Sequence, residues 1–283
     1  MTTLQEERRW MKVIRPAAFS PAAIGFGLRD LVHYRDLLVT LTIHRIKVRY
    51  KQSILGVAWA ILQPLLLMIV YTIIFSVVTK MPSEGAPYAI FVYTALLPWT
   101  FFSTSITTAA TCLVAHNNLI TKVYFPREIL PLTYVLAALF DFFMAATVLA
   151  VLLAFYRVPV GAGVFLVCPL MAVAFAFSLA MALFLSAFQV RFRDIGIAMA
   201  LLMQLWLYAT PVVYPLSVVP KRYLWFYLLN PMAGVVENFR QVVLRHSAGN
   251  ATILLPGLLV CALLLPAAYL YFKTAEATMA DVI

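Results

Sequence analysis

Six long apolar runs constrain what this chain can fold into more than any other feature of its sequence. They cover residues 54–78, 88–114, 129–156, 163–188, 195–214 and 252–272. Each reaches the roughly 18 residues that mark a transmembrane helix. In lipid the backbone must satisfy its own hydrogen bonds, which a helix does within a single run. The sequence therefore predicts an all-α integral membrane protein with six transmembrane helices in residues 53–283.

The composition supports a membrane protein and argues against a nucleic-acid-binding one. Hydrophobic residues make up 64% of the chain and charged residues 11%, against about half and about a quarter in soluble proteins. The net charge of +10 comes from basic residues that flank the apolar runs and form no recognisable nucleic-acid module. Anionic lipid headgroups attract such residues, so we predict membrane lipids, and no nucleic acid, as partners.

The distribution of Lys and Arg predicts the orientation of the chain. Residues 1–28 carry charge but no apolar segment with a cleavage site, so we expect them to form a cytoplasmic tail. With this tail inside, most of the 21 Lys and Arg residues fall on the cytoplasmic side, in agreement with the positive-inside rule. We therefore predict a protein of the bacterial inner membrane with both termini in the cytoplasm.

A basic segment before the first span, residues 29–52, has the pattern of an amphipathic interface helix. Its apolar side chains recur at helical spacing, namely at Leu31, Tyr34, Leu38 and Leu41. This spacing allows one apolar face to lie at the membrane interface. Residues 45–51 alternate polar and apolar side chains and could also form a strand. We favour a helix, because an isolated strand has no partner there.

The segment between the fifth and sixth runs, residues 215–250, is too long for a turn and too polar for two spans. Residues 223–229 are aromatic and apolar, and a break follows at residues 230–231. The part after the break has an apolar face and a polar face, the latter formed by Glu237, Arg240 and Arg245. We predict a re-entrant pair of short periplasmic helices, which other parts of the protein must cover.

Several chemistries have no motif in this sequence. It contains no GxxxxGK[ST] phosphate loop, so we expect no ATP hydrolysis by this chain. Its cysteines, Cys112, Cys168 and Cys261, lie far apart in apolar surroundings, which is typical of buried packing residues and not of a metal site. We therefore predict a chain without catalytic residues, metal or cofactor of its own.

Asp141 is the one charged residue within the six runs. A carboxylate at the centre of a membrane helix costs about 2.5–3.5 kcal/mol, so it must face protein or a polar cavity. It could couple transport to an ion gradient, as in an ion-coupled lipid or glycan flippase, or it could fix helix packing through a hydrogen bond. A membrane enzyme is a weaker alternative, because no cluster of charged residues for metal and phosphate accompanies Asp141.

Aromatic residues suggest two further interpretations. Six lie in or near the spans, and they could belong to an interfacial belt or line a conduit along which sugar rings slide: Trp59, Tyr71, Tyr93, Trp99, Trp206 and Tyr208. Tyr124 and Phe125 end the short cytoplasmic loop of residues 115–126 and look exposed. They could form a docking surface for a partner or insert into the membrane interface.

The motifs of this chain together resemble those of the permeases of polysaccharide-exporting ABC transporters. The resemblance begins with KVRYKQSILG at residues 47–56 and continues through LLPWTFF at 96–102 and NLITKVYFPREILP at 118–131. It extends through VRFRDI at 190–195, LWLYATPVVYP at 205–215 and LNPMAGVVENFR at 229–240. The permeases for lipid-linked O-antigen fit best, with teichoic-acid and capsule exporters as relatives. One departure is Ala95, where the family pattern has glycine.

The resemblance implies partners that the composition cannot reveal. It implies a homodimeric channel with two copies of a separate ABC ATPase subunit, which would bind the ATP and Mg²⁺. The cargo would be a polysaccharide on undecaprenyl pyrophosphate, admitted laterally between spans one and five of opposite protomers. The cytoplasmic loop would couple to the ATPase through Asn118, Lys122, Tyr124, Phe125 and Arg127. The pyrophosphate would be attracted by Arg45, Lys47, Arg49 and Lys51.

Overall fold

The computed structural model describes residues 32–51, 55–159, 161–245, 247 and 249–282, and the predicted tail of residues 1–28 lies outside them. Within these residues the chain is helical and has no strand. The α-helices are α1 Arg35–Lys51, α2 Ala58–Tyr71, α3 Tyr88–Ala110, α4 Cys112–Ala115, α5 Asn117–Lys122, α6 Ile129–Phe155, α7 Val167–Arg191, α8 Ile195–Tyr208, α9 Lys221–Leu228, α10 Pro231–Arg245 and α11 Ala251–Val282. The all-α prediction is confirmed, and the alternative of a strand at residues 45–51 is wrong.

Five helical segments are long and apolar enough to cross a membrane. They are Ala58–Val78, which is α2 continued by a π-helical segment, Tyr88–Ala110, Ile129–Phe155, Gly163–Arg191 and Ala251–Glu276. The fifth predicted span, residues 195–214, is helical only to Tyr208, as α8. At 1.5 Å per residue, its 14 residues reach about 21 Å, less than the roughly 30 Å of a hydrocarbon core.

The early end of α8 has a structural cause. Pro211 cannot donate a backbone hydrogen bond, and the chain turns at Thr210, which is fully buried. The carbonyls of Pro211 and Val212 then accept hydrogen bonds from the Arg240 side chain of α10. The helix thus ends six residues before the predicted end of this run at residue 214. Carbonyls of these residues accept hydrogen bonds from Arg240 of α10 and from Tyr88 of α3.

Helix α3 forms the centre of the fold. It packs against α6, α7 and α10, and most of its side chains are buried. Phe102 of α3 stacks on Phe177 of α7 and meets Trp206 of α8 edge-on, with ring centroids 5.1 Å apart in both pairs. Helices α2 and α8 pack on this core with one side and expose apolar side chains on the other, a surface suited to lipid or to a second copy of the chain.

Helices α10 and α11 approach each other so closely that only glycine fits between them. A Cβ atom added at Gly257 of α11 would lie 2.7 Å from the Cα atom of Pro231. A Cβ atom added at Gly234 of α10 would lie 2.9 Å from the carbonyl oxygen of Ile253. The last helix is thus joined to the predicted re-entrant pair by direct backbone contact.

The Gly257→Ala variant is expected to be less stable than the natural protein by about 1–3 kcal/mol, because two backbones must move apart. Gly163→Ala is the matched control, since its added Cβ would lie at an ordinary 3.4 Å from its nearest neighbour. Thermal unfolding in detergent measures both. Equal midpoints for the two variants would show that the α10–α11 contact is not tight.

Candidate functional site

Helix α1, the predicted interface helix, is fixed to α6 by charged side chains. The Arg45 guanidinium lies over the ring of Tyr134, 4.2 Å from its centroid. One turn later, Arg49 Nη1 donates a 2.5 Å hydrogen bond to Asp141 Oδ2, and Tyr50 Oη donates to Asp141 Oδ1. Partners follow in the same order along both helices, so α1 runs alongside the first half of α6. The intramembrane carboxylate therefore contacts the interface helix.

A small cavity of about 50 Å³ adjoins this ion pair, with room for a few water molecules. Its lining combines groups from α1, α2, α3 and α6, and its polar and aromatic members are Arg49, Tyr50, Trp59, Gln63, Thr100, Thr104, Phe101, Asp141 and Phe142. Asp141 is thus the centre of a polar cluster in the membrane-spanning part of the chain. The sequence showed the lone charge but gave no signal for its partners on α1.

The four basic residues predicted to attract pyrophosphate divide into two pairs. Arg45 and Arg49 contact α6, as described above. Lys47 and Lys51 are exposed on the other side of the helix. Within the described residues, Lys47 and Lys51 make no ion pair and can meet an approaching anion, while Arg45 and Arg49 are held by Tyr134 and Asp141.

The predicted coupling segment, residues 115–126, ends in two aromatic rings that point in opposite directions. Tyr124 is 70% exposed, whereas Phe125 is 4% exposed and belongs to the core. After α5 the backbone is extended at Val123 and irregular as far as Pro126, which places the ring of Tyr124 outside and that of Phe125 inside. The interpretation of Phe125 as an exposed ring is therefore wrong: Tyr124 forms the surface, and Phe125 anchors the segment from below.

Helix α11 holds the coupling segment through a cluster of ions. Lys273 Nζ donates to Glu128 Oε2 at 2.8 Å and to Glu276 Oε2 at 2.9 Å. Glu276 Oε1 accepts a 3.2 Å hydrogen bond from the backbone N–H of Arg127. The backbone carbonyl oxygen of Glu276 accepts a 3.0 Å hydrogen bond from Arg127 Nη1. Burial raises the pKa of Glu128, although Lys273 opposes this. A groove of about 480 Å³ lies between this cluster and residues 120–127.

This cluster was missed from the sequence. The last residues of the chain have few charges, and nothing in their spacing pairs Lys273 with Glu128, 145 residues away. The one available signal was local, because Lys273 and Glu276 are three residues apart and share a helix face. The other predicted coupling residues, Asn118 and Lys122, are exposed on α5.

A second buried ion pair joins the re-entrant segment to the core. Arg240 Nη1 lies 3.2 Å from Glu237 Oε2, and its guanidinium lies over the ring of Phe91, 3.8 Å from the centroid. Both charged residues are almost fully buried, so the polar face predicted for this helix is turned inwards at Glu237 and Arg240. Burial lowers the pKa of Arg240 to about 10, which leaves it charged at neutral pH. Arg245, by contrast, is exposed and bonds to Glu84.

The six aromatic residues predicted to line a conduit do not share one surface. Tyr93 and Trp99 are buried in the core, and Tyr93 Oη donates to the carbonyl oxygen of Ala145. Trp59 and Tyr208 are each nearly half exposed. Tyr71 and Trp206 are partly buried, and Tyr71 lies within electrostatic reach of Tyr208. Only four of the six side chains thus reach the surface of a single chain.

The fold is that of a polytopic helical membrane protein. Ion pairs join α1 to α6 and α11 to the residue before α6, and Arg240 of the buried pair joins α10 to the core. The chain belongs to the ABC-2 type transporter family, whose sequence profile matches residues 36–244. A Myxococcus xanthus protein named O-antigen export system permease protein RfbA is 33% identical over 257 residues, which cover 90% of this chain and 98% of that protein. A Klebsiella pneumoniae protein of the same name is 30% identical over 217 residues, 76% of this chain and 83% of its own length. The resemblance found in the sequence motifs is confirmed.

Proposed function

We propose that this chain is the permease of an ATP-driven exporter that moves undecaprenyl-pyrophosphate-linked polysaccharide, of the O-antigen type, from cytoplasm to periplasm across the bacterial inner membrane. The observation that carries the proposal is the similarity to a permease named for O-antigen export over 98% of that protein's length. Because the match covers nearly the whole chain, it includes the interface helix, the loop and the re-entrant pair.

The energy for transport comes from a separate subunit. The sequence has no phosphate loop, so two copies of an ABC ATPase subunit bind ATP and Mg²⁺ and dock at the coupling segment. The exposed ring of Tyr124 and the groove beside Arg127 supply a surface for this contact. Lys273 and Glu276 join Glu128 and Arg127, directly after the same segment, to α11. Helix α11 then transmits movement of the segment to the re-entrant helices.

The conduit forms between two copies of the chain. The exposed apolar faces of α2 and α8 are suited to meet the same faces of a second copy or the lipid tail of the cargo. Trp59, Tyr71 and Tyr208 lie on these two helices and present aromatic surface beside them. A lining of rings with few charges lets sugars slide without being held.

The alternative is an ion-coupled flippase that uses Asp141. The structure favours it less, because Asp141 is already paired with Arg49 and hydrogen-bonded to Tyr50. An ion carrier needs a carboxylate that binds and releases its ion during each cycle. The Arg49 guanidinium, 2.5 Å from Asp141, competes with any such ion for the carboxylate.

The cargo can be tested with the purified complex of permease and ATPase in nanodiscs. Lipid-linked O-polysaccharide is expected to stimulate ATP hydrolysis several-fold, and the same polysaccharide freed from its lipid is not. Undecaprenyl pyrophosphate without sugar serves as a second control for the lipid. Equal hydrolysis with and without the lipid-linked polysaccharide would overturn the assignment of this cargo.

The docking surface gives a separate prediction. Tyr124→Ala is expected to weaken association with the ATPase by about tenfold or more, because exposed aromatic residues at interfaces often contribute at least 1–2 kcal/mol. Tyr223→Ala is the matched control, since Tyr223 is an exposed ring on α9, outside the loop of residues 115–126. Co-purification at increasing dilution measures both. Undiminished assembly and export by Tyr124→Ala would exclude this residue from the docking surface.

A further inference from the structure

We infer that Asp141 determines which anions bind Arg49. Its carboxylate holds the Arg49 guanidinium until a diphosphate takes the place of the carboxylate. This inference rests on the proposed function, in which the cargo carries a diphosphate. Asp141 would then position Arg49 and determine its specificity, and it would have no role in coupling transport to an ion gradient. Its partner Arg49 changes from the carboxylate to the cargo during loading.

The geometry leaves Arg49 accessible while it is held. Its side chain is 34% exposed, whereas that of Asp141 is 15% exposed. Within the described residues, the hydrogen bond from Nη1 to Asp141 is the one that Arg49 makes, and a guanidinium carries five N–H donors. The remaining donors can meet a phosphate oxygen from the outer side before the bond to Asp141 breaks.

The small cavity beside the ion pair means that Arg49 can bind either Asp141 or the diphosphate, but not both there. The cavity has room for only a few water molecules, which is too little for a diphosphate that bears a lipid and a sugar. A phosphate drawn close to Arg49 would also be repelled by the Asp141 carboxylate. The cargo therefore takes Arg49 away from Asp141 and does not join it there.

Asp141 keeps a donor after the exchange. Tyr50 Oη donates to its second carboxylate oxygen, and Arg45 lies within electrostatic reach of it. A rotation of the Arg49 side chain is therefore sufficient, and α1 can stay on α6. The exchange does not leave an isolated charge in the membrane, which would be prohibitive.

The exchange selects by charge. A phospholipid phosphodiester carries one negative charge, as does the carboxylate, so it gains little by replacing Asp141. A diphosphate diester carries one negative charge on each phosphate and offers more oxygens to the guanidinium, which binds phosphates in a bidentate manner. Asp141 thus keeps abundant anionic phospholipids off Arg49 and admits the diphosphate.

The test is the affinity of the permease–ATPase complex for undecaprenyl pyrophosphate in phosphatidylcholine nanodiscs. Asp141→Asn, which keeps the shape but removes the competing charge, is expected to bind this lipid about tenfold more tightly than the natural protein. Phosphatidylglycerol added to the nanodiscs should compete in the variant and not in the natural protein. Asp141→Glu should bind like the natural protein, and Arg49→Gln combined with Asp141→Asn should lose the gain.

Equal or weaker binding of undecaprenyl pyrophosphate by Asp141→Asn would overturn the inference, because removal of a competing carboxylate must raise the affinity. Such a result would indicate that the carboxylate only supports packing. Failure of the proposed function is distinguishable, since the natural complex would then show no preference for undecaprenyl pyrophosphate at all.

A second measurement decides the matter if Asp141→Asn does not assemble. In Arg49→Lys, a zero-length carbodiimide can join the introduced amine to Asp141, and undecaprenyl pyrophosphate should reduce the yield several-fold. Arg245→Lys offers the matched control, because its partner Glu84 lies far from the cargo's diphosphate and its cross-link should not change. An unchanged yield at Asp141 would contradict the exchange.

Discussion

Arg240→Leu is expected to lower the free energy of unfolding by about 4 kcal/mol, because removing one member of a buried ion pair leaves the other charge uncompensated. Glu237 is 3% exposed and Arg240 2%, so water cannot replace the missing guanidinium. The carbonyls of Pro211 and Val212 would also lose their donor. SDS-induced unfolding in detergent micelles, followed by the exposure of buried tryptophan, measures the loss.

Arg245→Leu is the matched control on the same helix. Its side chain is 48% exposed and pairs with Glu84, so water can replace the contact and the loss should stay within about 1 kcal/mol. Adding Glu237→Gln to Arg240→Leu should recover part of the stability, because no unpaired charge then remains buried. If Arg240→Leu and Arg245→Leu are equally stable, the buried pair does not join α10 to the end of α8.

Lys273→Met should lower the free energy of unfolding by about 3 kcal/mol and separate ATP hydrolysis from export. Glu128, whose side chain is 3% exposed, would lose its cation, and Glu276 would lose the partner that holds it beside Arg127. The coupling segment would then be held to α11 by Glu276 alone. Unfolding in detergent and the ratio of export to hydrolysis measure the two effects.

The deficit of Lys273→Met should depend on pH. Burial raises the pKa of Glu128, and the variant lacks the lysine that opposes this rise. A carboxyl whose folded pKa is raised costs stability where it is ionised, so the deficit should grow as pH rises and shrink as pH falls towards that pKa. Lys221→Met, at an exposed lysine, should show no such dependence, and Glu128→Gln should relieve the deficit. A deficit that is constant with pH would exclude Glu128 as its source.

The helices were largely predictable from the sequence, because lipid permits few alternatives to them. Long apolar runs predicted the five full-length spans, and the break at residues 230–231 separated α9 from α10 correctly. The end of α8 was not predictable, since it depends on carbonyls that accept hydrogen bonds from Arg240, about thirty residues away. Apolarity alone predicted a longer helix.

The candidate site was predictable as a set of residues but not as a set of contacts. The lone charge of Asp141 indicated a polar partner, yet Arg49 is separated from it by 92 residues. Phe125 looked exposed in a loop that mixes polar residues with two rings, but its side chain is buried. Glu237 and Arg240 were recognised as a polar helix face, but the sequence did not show that they pair with each other and are buried, since charged residues are rarely buried.

The most direct test of the whole account is transport by vesicles that contain this permease with and without its ATPase. Inside-out proteoliposomes with both subunits are expected to move lipid-linked polysaccharide into the lumen when ATP and Mg²⁺ are supplied. Vesicles with the permease alone should move none, whatever proton or sodium gradient is imposed. Gradient-driven movement by the permease alone, abolished by Asp141→Asn, would contradict the account and establish the ion-coupled flippase instead.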